Sequence, residues 1–171
     1  MKSNSLWNPE LTYTVSPYQT ACGAVDIHNG LTQCGRQFML VVHQLEHEIS
    51  GMYPEVAHGA GLAALWCSWA RYVYHANIPR WLQYAANVWN LDIDYEHPEK
   101  TIEAAIDMQE QYYKSIGMPT NLRCLGVKEA DLEKLTQNCT RNRTRSLPGY
   151  KTLEYEDIRN IYRMAYEAVE L

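Results

Sequence analysis

Apolar residues recur at helical spacing along most of this chain, and the breaks between them fall at glycine, proline and short polar runs. In residues 99–116, Ile102, Ala105, Ile106, Gln109, Tyr112 and Tyr113 form one stripe, stopped by Gly117-Met118-Pro119. Ile78-Pro79 opens a second such segment, through residue 90, with Trp81, Leu82, Tyr84, Ala85, Val88 and Trp89 at the same period. Residues 60–74 are mostly apolar, and Ala60, Gly61, Ala63 and Ala64 are small enough for close helix contact. Residues 31–50 are helical in pattern, interrupted at Gly35, and Phe38 to Val42 is apolar all round, as in a buried helix. Upstream, Ser16-Pro17 is a helix start. That helix carries Ala21, Cys22, Ala24 and Val25, with its end expected near Asp26-Ile27 and a turn at His28-Asn29-Gly30. Residues 128–136 predict a short helix and 153–169 the last one, with Ile158, Ile161, Tyr162, Ala165 and Tyr166 inward. Between them, residues 138–150 read as a solvated polar loop bearing Arg141, Arg143 and Arg145. Only Leu11, Tyr13 and Val15 alternate with polar residues, a short extended signal. The expectation is an all-α domain of seven or so helices over 1–171, with at most one short strand and no repeat or linker.

Composition narrows the function. With 171 residues and 46% hydrophobic content, one domain with a real core is expected. A net charge of -5 suggests neither a nucleic-acid nor an anionic-membrane partner. The N-terminus lacks the apolar core of a signal peptide, and no run reaches the roughly 20 apolar residues of a membrane span. The five cysteines, odd in number and without a CxxC pair, read as free thiols in a reducing cytoplasm. On that reading the glycosylation sequons at Asn138 and Asn142 carry no weight. The 13 Tyr and 5 Trp, against one Phe, suit half-buried helix faces and cleft walls. No GxGxxG, GxxxxGK[ST] or GxSxG motif is present.

The chemistry concentrates in residues 43–59, His-Gln-Leu-Glu-His-Glu-Ile-Ser-Gly-Met-Tyr-Pro-Glu-Val-Ala-His-Gly. His43 and His47 are four apart, on one face of a helix that Gly51 and Pro54 end. His58-Gly59 then opens the next helix. A helix end, a turn and a helix start can bring three imidazoles together, and neutral imidazole suits Zn(II), Fe(II), Cu and Ni. Two histidines at this spacing also occur on ordinary solvated faces, and a His before Gly can be a plain N-terminal cap. His43-Gln44-Leu45-Glu46-His47 also matches HxxEH, the pattern of a zinc protease with Glu46 as general base.

The text around these histidines resembles the iron-containing alcohol dehydrogenases, in particular their butanol-dehydrogenase-like branch. The matching stretches are 9–17 (Pro-Glu-Leu-Thr-Tyr-Thr-Val-Ser-Pro), 23–26 (Gly-Ala-Val-Asp), 43–50, 58–63 (His-Gly-Ala-Gly-Leu-Ala), 84–90 (Tyr-Ala-Ala-Asn-Val-Trp-Asn) and 115–120 (Ser-Ile-Gly-Met-Pro-Thr). The resemblance runs over nearly the whole chain but covers only the family's C-terminal helical half. It implies one divalent metal, Fe(II) or sometimes Zn(II), held by one Asp and three His. Asp26, His43 and His58 fall at three of those positions. His47 falls where the family has a histidine beside nicotinamide and substrate, a proton-relay group. The implied reaction interconverts a primary alcohol and an aldehyde with NAD(P). A small alcohol or aldehyde is the implied partner, and a homo-oligomer is left open.

The sequence departs from the family in four places. No N-terminal nucleotide-binding domain with a glycine-rich phosphate loop is present. The family's second ligand, a His four residues after the Asp, is Gly30 here. Residues 28–36 resemble a segment that normally lies several helices further on, as though an internal stretch were missing after Asp26, with His28 as a substitute ligand at most. The loop before His58 is one residue longer, at Tyr53-Pro54-Glu55. These departures make the chain by itself a fragment of a dehydrogenase, not expected to act alone. The competing readings are a non-catalytic helical remnant or interaction module and, behind it, the HxxEH protease. Cys22, Cys34 and Cys67 are expected to be packed core thiols.

Overall fold

The computed structural model describes residues 14–33 and 40–169, with no account of the side chains of 30–33. It is helical throughout, and among the described residues the only β-pairing is the isolated bridge Leu147–Leu153. The order is α1 (Pro17–Gln33), α2 (Val41–Met52), α3 (His58–Val73), α4 (Ile78–Trp89), α5 (Pro98–Ser115), α6 (Leu132–Cys139) and α7 (Tyr155–Glu167). Short 3₁₀ turns precede α4 and α6 and follow α5. No helix among the described residues is long and apolar enough to cross a membrane.

The centre is α3, buried on nearly every side. It packs against α1, α2, α5 and α7, while α4 lies on α5, and α6 bridges α2 and α7. The sequence explains how one helix reaches four neighbours. Its first turns carry Gly59, Ala60, Gly61, Ala63 and Ala64, so partner backbones approach closely. A Cβ at Gly59 would overlap the backbone carbonyl of Cys22 on α1. Its second half carries Leu65, Trp66, Trp69 and Val73, which fill the wider spaces. Farther out, Tyr162 on α7 donates to the Leu45 carbonyl of α2 at 2.7 Å, fixing α2 from its far side.

Helix ends follow local chemistry. The Ser16 hydroxyl accepts from Gln19 N at 3.2 Å ahead of α1. Asn77 accepts from Arg80 N at 3.3 Å ahead of α4, which has Pro79 in its first turn. Glu154 and Asp157 form a capping box on α7. Gly117, at φ +75°, ends α5 where an L side chain would be strained.

Several expectations need correction. The helix from Pro17 does not end at Asp26-Ile27. It continues through His28-Asn29-Gly30 to Gln33, because Asn29 is buried and its side chain donates to the Val25 carbonyl one turn back, at 3.0 Å. The single helix expected over 31–50 is instead the end of α1 and all but the last residues of α2, with 34–39 outside the described residues. The extended segment at 11–15 falls mostly on undescribed residues, and Thr14 and Val15 form a turn and a bend. The helix placed at 128–136 is a 3₁₀ turn followed by α6, which runs on to Cys139. In the stripes, Tyr112 and Val88 face solvent. Cys67 and Cys139 are buried free thiols and Cys22 is a half-buried one; Cys34 lies outside the described residues.

One region of the core is not fully satisfied. The indole Nε1 groups of Trp66, Trp69 and Trp81 are buried without a hydrogen-bond partner among the described residues. Each unmet donor costs on the order of 1–3 kcal/mol.

The α1–α3 contact yields a direct test. Gly59→Ala pushes α1 away from α3 and is expected to destabilise the chain by about 1–3 kcal/mol, read as a lower denaturant midpoint. Gly23→Ala, where a Cβ meets nothing within 4 Å, is the control and is expected to leave the midpoint unchanged or raised.

Candidate metal centre

Three helices converge at one point. Asp26 lies on α1, His43 and His47 on α2, and His58 is the first residue of α3. The two-helix approach depends on the turn at 53–57. Tyr53 N donates to the Ile49 carbonyl at 2.7 Å, and Val56 N to the Tyr53 carbonyl at 2.9 Å. The Tyr53 hydroxyl donates to Asp131 at 2.5 Å and accepts from Lys128 N at 3.1 Å. The lengthened loop is therefore tied down, and His58 still meets His43, with ring centres 5.3 Å apart. Ala57, not His58, takes the N-cap position, so the plain-cap reading of His58 does not hold.

Asp26 Oδ1 lies 2.8 Å from His43 Nε2 and 3.8 Å from His58 Nε2. Ligand atoms of these three residues all lie within 4.8 Å of one another. The cluster is walled on one side and open on the other: His43 is nearly buried, while the Asp26 side chain is 50% exposed and that of His58 37%. His47 sits at the rim, its ring centre 5.5 Å from that of His58.

The orientation of His58 has a definite cause. Its Nδ1–H donates to Glu46, whose carboxylate is fully buried in α2. Ser50 Oγ, one turn on, donates to the other carboxylate oxygen at 2.5 Å. Gly61 leaves the room: a Cβ there would sit 2.6 Å from Glu46 Oε1. With Nδ1 taken, His58 presents Nε2 to Asp26. That is the carboxylate–histidine arrangement that orients imidazole ligands at metal centres. The Glu46 hydrogen bond also raises the His58 pKa above its ordinary value; burial opposes this and the Asp26 charge adds to it. His43 has no such support: its Nδ1 is buried with no hydrogen-bond partner among the described residues.

Two sequence-derived ideas fail on this geometry. His28 is not a stand-in ligand. Two residues along a helix is a rotation of about 200°, so it leaves α1 on the face opposite Asp26. Its Nδ1 lies 2.8 Å from the Tyr113 hydroxyl, its ring packs on Trp66, and burial lowers its pKa to about 4. Glu46 is not the general base of an HxxEH protease, because it is buried and both of its oxygens are engaged within the protein. Its supporting role was hidden in the sequence. The one signal was the Gly61 position, which makes sense only once α3 is seen to lie over Glu46.

The donor set, two imidazole nitrogens and a carboxylate oxygen, suits Fe(II) or Zn(II). A sequence model described as the Fe-containing alcohol dehydrogenase family, C-terminal, matches residues 29–166. The chain belongs to this family. The match includes His43, His47 and His58 and begins three residues after Asp26. Among relatives of this family member, the NADH-dependent butanol dehydrogenase A of Clostridium acetobutylicum is 30% identical over 139 residues, 81% of this chain and 35% of that protein. The 1,3-propanediol dehydrogenase of Citrobacter freundii is 31% identical over 125 residues, 73% of this chain and 32% of that protein. Of solved structures, the butanol dehydrogenase A of Thermotoga maritima superposes with a TM-score of 0.68 at 28% identity, over 76% of this chain and 33% of its own. The E. coli aldehyde reductase gives 0.78 over 90% of this chain and 55% of its own; at 19% identity this shows the shared helical fold. The chain spans about a third of the length of the curated relatives it matches.

The role of Glu46 is open to measurement. Glu46→Gln keeps a hydrogen-bond acceptor but removes the charge. It is expected to weaken Co(II) or Zn(II) binding about 10- to 100-fold with helical content unchanged. Competition with a chromophoric chelator reads this directly, and unchanged affinity would mean that Glu46 does not orient His58.

Proposed function

We propose that this chain is the metal-binding helical portion of an iron-dependent alcohol dehydrogenase, with Asp26, His43 and His58 as the metal ligands. The observation that carries the reading is the convergence of two imidazole Nε2 atoms on one carboxylate oxygen, with His58 turned by a buried glutamate. The half-exposed Asp26 side leaves the approach that a catalytic site needs.

A metal bound there supplies Lewis acidity toward an alcohol or carbonyl oxygen. The chain's own residues do the rest. Asp26 and His43 hold the cluster from α1 and α2. Glu46 keeps the Nδ1 proton on His58. His47, exposed at the rim, is placed to pass a proton between the substrate oxygen and solvent. The hydride partner is NAD(P), in keeping with relatives named as NADH- or NADPH-dependent. It would be held by a nucleotide-binding domain of the kind the family resemblance implies. The substrate class is a small primary alcohol or its aldehyde, and the location a reducing cytoplasm, in which Cys22, Cys67 and Cys139 stay as thiols.

Gly30 favours a second reading. With α1 continuous through this position, it lies one turn beyond Asp26 on the same face, where the family's fourth ligand is expected. A chain with three ligands of four can be a non-catalytic helical module that has lost its metal.

Both readings meet one experiment. The chain is purified anaerobically with Fe(II) or Zn(II), and metal per chain is measured beside His43→Ala and His58→Ala. The expected result is close to one metal per chain, lost in both variants. A folded, metal-free parent chain would refute the catalytic reading. Gly30→His then tests the fourth position: it is expected to tighten binding by at least about tenfold, the scale on which even outer-shell partners act.

A further inference from the structure

A second cavity, sharing no residue with the metal cluster, opens between α3 and α4. Its volume is about 410 Å³, within the range of small-molecule sites, roughly 300–1,000 Å³. The walls are aromatic. The Trp81 ring centre lies 6.0 Å from that of Trp66, 5.8 Å from Trp69 and 5.8 Å from Tyr84. These flat faces suit a planar ring.

Its polar character runs one way. The indole nitrogens of the three tryptophans are the buried donors without a partner described above, and all three tryptophans line this one cavity. Arg80 stands at its exposed side, donating to Gln83 at 2.6 Å and forming no ion pair among the described residues. Among the described residues, no Asp or Glu lines the cavity. Aromatic walls alone also suit a cation. Here, among the described residues that line the cavity, the one charge is positive, that of Arg80, and no carboxylate balances it. The wall suits a planar ring that carries a negative charge.

We propose that this cavity binds a small aromatic carboxylate, its ring against Trp81 and its carboxylate toward Arg80. The ring covers apolar aromatic surface of the cavity wall, and the carboxylate pairs with the Arg80 guanidinium at the exposed side. The site is independent of the metal reading and stands or falls separately from it.

The test is calorimetric titration of the full chain with 2-naphthoate, 2-naphthamide and 2-naphthylmethylammonium. Saturable one-to-one binding of the carboxylate is expected, with the amide at least tenfold weaker and the ammonium not bound. Arg80→Gln is expected to abolish the preference for carboxylate over amide, and Trp81→Leu to abolish binding. Should Trp81→Leu fail to fold, Val88→Glu serves in its place. Val88 is 54% exposed on the cavity rim, so the change spares the core, and its new charge is expected to weaken 2-naphthoate at least tenfold. No saturable binding of 2-naphthoate overturns the proposal. So does equal affinity for acid and amide, tighter binding of the ammonium, or binding that survives the Trp81 or Val88 change.

Discussion

A carboxylate with no exposed surface is costly unless every oxygen has a partner, and Glu46 is such a group. Its partners define the region around it. Ser50 must lie one turn along α2, His58 must begin α3 with Nδ1 turned inward, and Gly61 must carry no side chain. Each requirement ties α2 to α3 in one register. In that register His58 Nε2 points to Asp26, and a third helix is drawn into the cluster. Breaking one member strands a buried charge. The arrangement is therefore a single unit, not a sum of separable contacts.

The same helix start that accommodates Glu46 also accommodates α1. Gly59 and Gly61 stand on either side of Ala60 and serve different neighbours, the Cys22 backbone on α1 and the Glu46 carboxylate on α2. This explains why the small residues crowd the first turns of α3 while its tryptophans lie further along. The close-packed end builds the Asp26, His43 and His58 cluster. The aromatic end, where large rings meet at angles of 48–62°, leaves the unmet indole donors and the open cavity. Fine packing at one end of α3 and looser packing at the other follow from one change in side-chain size along sixteen residues.

Much of the fold could be read before the structure, because amphipathic stripes such as Ile158, Ile161, Tyr162 and Ala165 need only the helical period. The histidine turn was legible for a similar reason: His43, His47 and His58 flank a Gly–Pro break whose geometry is local. What failed depended on partners distant in sequence. His28-Asn29-Gly30 has the composition of a turn, yet Asn29 satisfies its amide within α1 and beside Tyr113, 3.4 Å away, so the helix continues. Glu46 looked like a catalytic base because the pattern around it is short. Its true partners, His58 and Gly61, come from the next helix. The cavity was invisible for the same reason: six wall positions on α4 and three on α3 and α1 say nothing of volume until the helices are placed.

The central claim is that Asp26, His43 and His58 form one metal site with both imidazoles bound through Nε2. X-ray absorption at the zinc edge of the anaerobically loaded chain tests it most directly. The account predicts a first shell with two imidazole nitrogens and a carboxylate oxygen, at about 2.0–2.2 Å, with the multiple-scattering signature of histidine. In His58→Ala that signature should fall by half. A shell of oxygens alone, or a histidine signal unchanged in His58→Ala, would contradict it.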